Sequence, residues 1–266
     1  YDLDGFKLDF VDSFCQTQPA PDQMGGGRDY DSVSDAVDRL LTDVIEQLRT
    51  LKPDILIEFR QTYIGPMMRK YGNMLRAGDA PNTLTDNQVR ILDVRLLAGA
   101  TPVHADMLMW HPDEPVESAA MQVIHTLFGV PQISVRLDQI PDAHREMLRF
   151  YLSFWREHRD VLLRGTLHPQ QPGYLYPLVI AETPDEYLVA FYGTTVVRLG
   201  VPRETLLLIN GTFESTLILD LDCAWGERLI TIQSCCGEVV SSQRIDLAAG
   251  IHAVNVPPGG VATLAG

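Results

Sequence analysis

Lys7 and Asp9 put opposite charges on one face of the run Gly5-Phe-Lys-Leu-Asp-Phe-Val11, because side chains of a strand alternate with a period of two. The rest of that run is apolar, as in a buried parallel strand. An ion pair there is costly unless it faces a cleft. In parallel barrels the carboxyl ends of strands carry the catalytic groups, and Asp9 falls at such an end. Three later strand ends are loaded in the same way, with Glu58, Arg60 and Gln61, then Arg76 and Asp79, then His104 and Asp106. Two carboxylates on different strands around one pocket meet the requirement for glycoside hydrolysis. One attacks or stabilises the anomeric carbon and the other protonates the leaving oxygen.

The elements that must position these groups alternate up to about residue 160. Strands are expected at 5–11, 54–59, 73–78, 101–105 and 131–135. Helices are expected at 31–51, about 84–97, about 117–128 and 142–158. The first helix shows apolar residues at helical spacing, Val33, Val37, Leu40, Leu41, Val44, Ile45 and Leu48. Ser32 or Ser34 is its candidate cap, and Pro53 ends it. Repeated strand–helix units imply a parallel sheet with helices outside. Five units suit the second half of an eight-stranded barrel. After Arg159 short strands follow closely, with turn residues such as Asn210-Gly211 and Pro257-Pro-Gly-Gly260 between them, the texture of an antiparallel β-sandwich. The expected fold class is therefore α/β plus all-β. Residues 1–162 form a partial (β/α)8 barrel (strands 4–8) and residues 163–266 a C-terminal antiparallel β-sandwich.

A chain of 266 residues, 45% of them hydrophobic, can bury a large core. A net charge of −14 argues against nucleic acid, whose binding needs a concentrated basic surface. No stretch has the length of a membrane helix, so no membrane partner is expected. Cys15, Cys223, Cys235 and Cys236 lack metal-ligand spacing and read as free thiols of a reducing, cytoplasmic compartment. No metal or cofactor is expected. Gly25-Gly-Gly27 lacks the strand–glycine–helix context of a phosphate cradle. Trp110-His111 reads as a subsite wall or an exposed aromatic loop.

Three segments carry a family resemblance that covers the whole chain. Asp4-Gly-Phe-Lys-Leu-Asp-Phe10 resembles the nucleophile strand of glycoside hydrolase family 36, the α-galactosidase family. Arg76-Ala-Gly-Asp-Ala-Pro-Asn-Thr83 occupies the place of its acid/base motif. Phe150-Tyr-Leu-Ser-Phe-Trp-Arg-Glu-His-Arg159 is similar to the helix that ends the family's barrel. Phe59-Arg-Gln-Thr-Tyr-Ile-Gly65 replaces the family's Cys-Ser-Gly-Gly-Gly-Arg stretch, and the acid/base segment lacks the family's serine.

The resemblance implies a retaining hydrolase of α-glycosides, α-galactosidase-like, with Asp9 as nucleophile and Asp79 as general acid/base. Lys7, Glu58, Arg60, Arg76, His104 and Asp106 are the candidate substrate contacts. Lys7 is expected to keep Asp9 ionised, and Asp79 to sit in less polar or more anionic surroundings, where it holds a proton. The alternatives are a glucoside- or xyloside-directed α-glycosidase and a non-catalytic carbohydrate-binding protein. The first and fifth strands are expected to be sheet edges. The chain therefore reads as a portion of a longer protein, with an N-terminal barrel segment or a second chain as partner beside the α-linked oligosaccharide. The oligomeric state stays open.

Overall fold

A computed structural model of the chain describes residues 2–15, 29–30, 32–60 and 63–266. The glycine run at 25–27 and Gln61 lie outside the described residues. Five strands form one sheet in chain order: β1 (Gly5–Lys7), β2 (Leu56–Arg60), β3 (Met74–Arg76), β4 (Val103–Leu108) and β5 (Val130–Ile133). Every neighbouring pair is parallel. The strands are joined through α1 (Val33–Leu51), α2 (Leu84–Ala98) and α3 (Val116–Ile124), and β5 is followed by α4 (Asp142–Glu157) and the short α5 (Arg159–Arg164).

Alternation gives this sheet two unlike faces. Ile57, Phe59, Leu75, Val103 and Ala105 are buried in one apolar cluster with Leu41, Ile45, Ile91, Leu92, Met121, Ile124 and Met147 of the helices. The opposite face carries Lys7, Glu58, Arg60, Arg76 and His104. The register aligns Lys7 with Glu58, and Arg60 with Arg76 and His104 in a row across three strands.

α1 is capped by Ser32, whose hydroxyl oxygen accepts from the amide of Asp35 at 3.1 Å. Ser32→Ala is expected to cost about 1 kcal/mol of stability, read as a shift of the denaturation midpoint at constant slope. β1 is shorter than its apolar run. The chain leaves the ladder after Lys7 because Phe10 adopts a left-handed conformation (φ 57°, ψ 25°) and its amide donates to the carboxylate of Asp9. A 3-10 turn follows at Val11–Ser13.

The second unit contains β6 (Thr166–Gln170), β7 (Leu178–Glu182), β8 (Tyr187–Phe191), β9 (Val196–Leu199), β10 (Thr205–Asn210), β11 (Thr216–Leu221), β12 (Gly226–Gln233), β13 (Val239–Leu247), β14 (Gly250–Asn255) and β15 (Val261–Ala265). A seven-stranded sheet of order β13-β12-β15-β10-β8-β7-β6 faces a three-stranded sheet of order β14-β11-β9. The expectation of a purely antiparallel sandwich is corrected at two places, since β8 pairs β10 and β9 pairs β11 in parallel. Between β8 and β11 the chain alternates between the sheets, so each strand re-enters its own sheet running the same way.

The central strands β7, β8, β10 and β15 of the seven-stranded sheet are buried on both faces, in keeping with their apolar runs. Leu206 and Leu208 point into the sandwich core, whereas Leu207 and Ile209 join the cluster under the helices. Polar clasps cross the same seam. Tyr151 donates to the carbonyl of Gly259, Tyr192 to that of Ile124 at 3.1 Å, and Gln88 to that of Tyr176 at 2.8 Å. His125 meets the carbonyl of Gly211 at 3.1 Å, and burial pushes its imidazole down to about 4.

Candidate active site

Asp9 lies two residues past the end of β1 and its side chain keeps 28% of its surface exposed. Its Oδ1 accepts from the Phe10 amide and from the Tyr63 hydroxyl, each at 2.9 Å. Its Oδ2 lies 3.3 Å from Arg60 Nη1 and 3.5 Å from Lys7 Nζ. Burial pushes the Asp9 carboxyl up, but the Tyr63 hydrogen bond, the Phe10 amide, Arg60 and Lys7 together hold it below the usual carboxylate range. Lys7 is thus the weakest of these four influences, and the larger ones come from groups outside the Lys7–Asp9 pattern.

Asp79 stands three residues beyond Arg76, on a turn made possible by Gly78 (φ 152°), a backbone region that side chains disfavour. The turn is pinned on several sides. The Ala80 amide donates to Asp106 Oδ2 at 2.6 Å, Asn87 donates to the Ala80 carbonyl at 2.6 Å, and the Met109 amide donates to the Pro81 carbonyl at 3.2 Å. Arg60 Nη2 and Arg76 Nη2 each donate to one oxygen of Asp79. The expected anionic or apolar surroundings of Asp79 are therefore corrected: two guanidinium groups flank it. The cause is register, which sets Arg60 of β2 beside Arg76 of β3.

One guanidinium, that of Arg60, joins Asp9 to Asp79. Two hydrogen-bond lengths and the width of that group keep the carboxylates within roughly 8 Å. That bound admits the separation of retaining pairs (roughly 5–5.5 Å) and the lower part of the range of inverting pairs (roughly 6.5–9.5 Å).

Beneath the pair the network continues inward. Arg76, 6% exposed, holds Asp79, lies 3.4 Å from Asp106 and 4.0 Å from Glu58. Asp106 is 2% exposed at its side chain and supports the Asp79 turn from below. Glu58 faces His104 Nε2 at 3.2 Å, and His104 Nδ1 meets the Ala105 carbonyl at 3.0 Å. Burial raises the Glu58 carboxyl, but His104, Arg76 and Lys7 outweigh it and leave it below its ordinary range. Glu58 and His104 also line a groove with Met74, Pro102 and Val130, residues at or near the amino ends of their strands. They reach the Asp9–Asp79 pair through Arg76.

All eight residues singled out in the sequence thus belong to one network, at different depths. Lys7, Asp9, Arg60 and Asp79 form its accessible part. Arg76 and Asp106 lie below it, and Glu58 with His104 extends it toward the amino ends. Tyr63 was not among them. It follows β2 in an aperiodic turn, and the only sequence signal was the unusual Arg60-Gln-Thr-Tyr63 segment. The reading of Trp110 as an exposed aromatic is corrected. Trp110 is 8% exposed and donates to His144 Nδ1 at 3.1 Å. Among the described residues no group of three or more His, Cys, Asp or Glu could hold a metal ion, and no helix is long and apolar enough to cross a membrane.

No family model matches the chain, and no curated protein matches it. Its fold is shared with solved glycoside hydrolases. The structure of α-amylase from Geobacillus thermoleovorans complexed with acarbose aligns over 100% of this chain and 60% of its own, with a TM-score of 0.56 and 12% identity. Amy13B of Eubacterium rectale aligns over 99% of this chain and 60% of its own, with a TM-score of 0.53 and 9% identity. The GH36 α-galactosidase AgaB of Geobacillus stearothermophilus aligns over 84% of this chain and 30% of its own, with a TM-score of 0.47 and 12% identity. The chain spans 60% of the length of each of the first two.

Proposed function

We propose that this chain carries the catalytic pair of a retaining α-glycosidase, α-galactosidase-like in specificity. The observation that carries the reading is the bridge of Arg60 between Asp9 and Asp79, two accessible carboxylates beyond the ends of β1 and β3, the strands on either side of β2. Asp9, held ionised by four donors and cations, suits the nucleophile. Asp79, half-exposed on its pinned turn, stands where it can reach the leaving oxygen, and we assign it the acid/base role on position alone. The leaving oxygen approaching Asp79 would displace Arg60 from it, which removes one cation as the acid comes into use. Among the described residues, the buried Nε atoms of Arg60 and Arg76 and Oε1 of Glu58 have no hydrogen-bond partner, so the polar layer under the pair is incompletely satisfied.

In the first step an oxygen of Asp9 bonds to the anomeric carbon as the glycosidic bond breaks, and the leaving oxygen takes a proton from Asp79. In the second, water bonds to that carbon, its proton passes to Asp79, and Asp9 leaves with its electron pair. The five strands are proposed to be the fourth to eighth of a barrel. Further strands, from the same protein or a second chain, would pair with the outer strands β1 and β5 and wall the charged face.

The test is a panel of nitrophenyl α-galactoside, α-glucoside and α-xyloside given to the intact protein, with the anomer of the first-formed sugar read by proton NMR. The α-galactoside is expected to turn over fastest and to release the α-anomer. Release of the β-anomer means inversion and removes the covalent role of Asp9. Sugar binding with no turnover of any substrate supports the non-catalytic reading instead.

A further inference from the structure

The two oxygens of Asp9 are held differently. Oδ1 receives two hydrogen bonds of 2.9 Å, from the Phe10 amide and the Tyr63 hydroxyl. Among the described residues, Oδ2 has only the longer contacts to Arg60 and Lys7, at 3.3 and 3.5 Å. Resting on the reading of Asp9 as nucleophile, we infer that Tyr63 is a positioning residue: it fixes Oδ1, leaves Oδ2 as the attacking oxygen, and stabilises Asp9 as it departs from the sugar.

Three features support this assignment. The Tyr63 ring is 8% exposed and meets Phe59 edge-on, with centroids 6.3 Å apart and planes at 90°. Phe59 is fully buried, so the core under β2 sets where the hydroxyl stands. The phenol is also a permanent donor. Burial and the neighbouring Asp9 push it up to about 12, so it stays protonated wherever Asp9 is ionised. Finally, the Tyr63 oxygen accepts from the Phe10 amide at 3.1 Å, the same amide that donates to Asp9 Oδ1. Phe10 holds a left-handed conformation, which a bulky residue keeps only when its surroundings impose it. Tyr63 and Phe10 thus lock one oxygen of the carboxylate from two directions.

The chemical consequence differs between the two steps. When Oδ2 bonds to the anomeric carbon, Oδ1 becomes the carbonyl oxygen of the glycosyl ester and loses negative charge, so the Tyr63 hydrogen bond weakens. When water attacks, the C–Oδ2 bond breaks, the electron pair returns to the carboxylate and the hydrogen bond strengthens. Hydrogen bonds to charged acceptors exceed those to neutral ones. Tyr63 keeps its own proton throughout and chiefly speeds the second step.

The experiment is Tyr63→Phe in the intact protein, with an activated aryl α-glycoside. Phenylalanine keeps the ring against Phe59. We expect kcat to fall about ten- to a hundredfold. KM should fall with it, and a burst of phenol should appear, because the glycosyl-enzyme accumulates. The acidic limb of kcat/KM should move to higher pH, since Asp9 loses a donor that favours its ionised form. Incorporation of 3-fluorotyrosine at position 63, a stronger donor of nearly the same shape, should move that limb to lower pH. A fall in kcat with KM and the limb unmoved indicates general loosening and overturns the assignment. So does unchanged kinetics in both variants while Asp9→Ala is inactive, an outcome that leaves the reading of Asp9 standing. Full activity of Asp9→Ala overturns both.

Discussion

Asp9→Ala is expected to lower turnover of an α-glycoside by a factor on the order of 10⁴ or more, and azide is expected to restore it. The alanine opens space where the carboxylate stood, beside Lys7 and Arg60, whose charges draw a small anion. Azide then bonds to the anomeric carbon from the face Asp9 would have used, as an activated phenolate leaves, and the product is the β-glycosyl azide. Asp79→Ala should respond differently. Its first step suffers little with a leaving group that needs no proton and greatly with a poor one. Azide entering at the second step, after Asp9 has formed its ester, yields the α-glycosyl azide. The configuration of the two azides, read by NMR, assigns the roles independently of rates. An α-azide from Asp9→Ala, or equal losses for Asp79→Ala on both kinds of leaving group, is incompatible with the assignment.

The second large effect concerns stability. Arg76 is a guanidinium shared by Glu58, Asp79 and Asp106, and both it and Asp106 are buried. Arg76→Met removes the cation and leaves Asp106 with the Ala80 amide as its hydrogen-bond donor. Removing one partner of a buried ion pair costs about 3–5 kcal/mol, chiefly because the remaining charge is stranded out of water. Urea denaturation of Arg76→Met should show that loss. The double variant Arg76→Met with Asp106→Asn should recover much of it, because no buried charge then lacks its counter-ion. A loss below about 1 kcal/mol in the single variant, the level of an exposed pair, means that solvent reaches this layer.

The strand–helix alternation and the loaded strand ends were legible because a charge in an apolar run stands out, and because period two assigns it a face. Lys7 with Asp9, Glu58 with Arg60, and Arg76 are of this kind. Properties that depend on register were not legible. The guanidinium pair around Asp79 arises from Arg60 lying beside Arg76, a neighbour relation with no trace in either segment alone. Tyr63 escaped because it lies beyond the end of β2, where the strand period assigns no face. The extent of β1 escaped because the Asp9 carboxylate competes locally for the Phe10 amide, which an apolar pattern does not show. The parallel pairs of the sandwich escaped for a related reason: strand periodicity says nothing of which sheet a strand enters.

The double burial of the central strands of the seven-stranded sheet has a consequence for how this protein can change over evolutionary time. In β10, consecutive leucines answer to different neighbours, Leu206 and Leu208 to the sandwich and Leu207 and Ile209 to the helices. Substitution by another aliphatic residue disturbs one neighbour at a time and is readily absorbed. Insertion or loss of a single residue exchanges the two sets at once and spoils both interiors together. The β-unit is therefore a poor cassette for recombination. A crossover at its boundary would have to carry α2, α3 and α4 with it, so the five-stranded sheet and its companion should be inherited as one piece, with length variation confined to the turns.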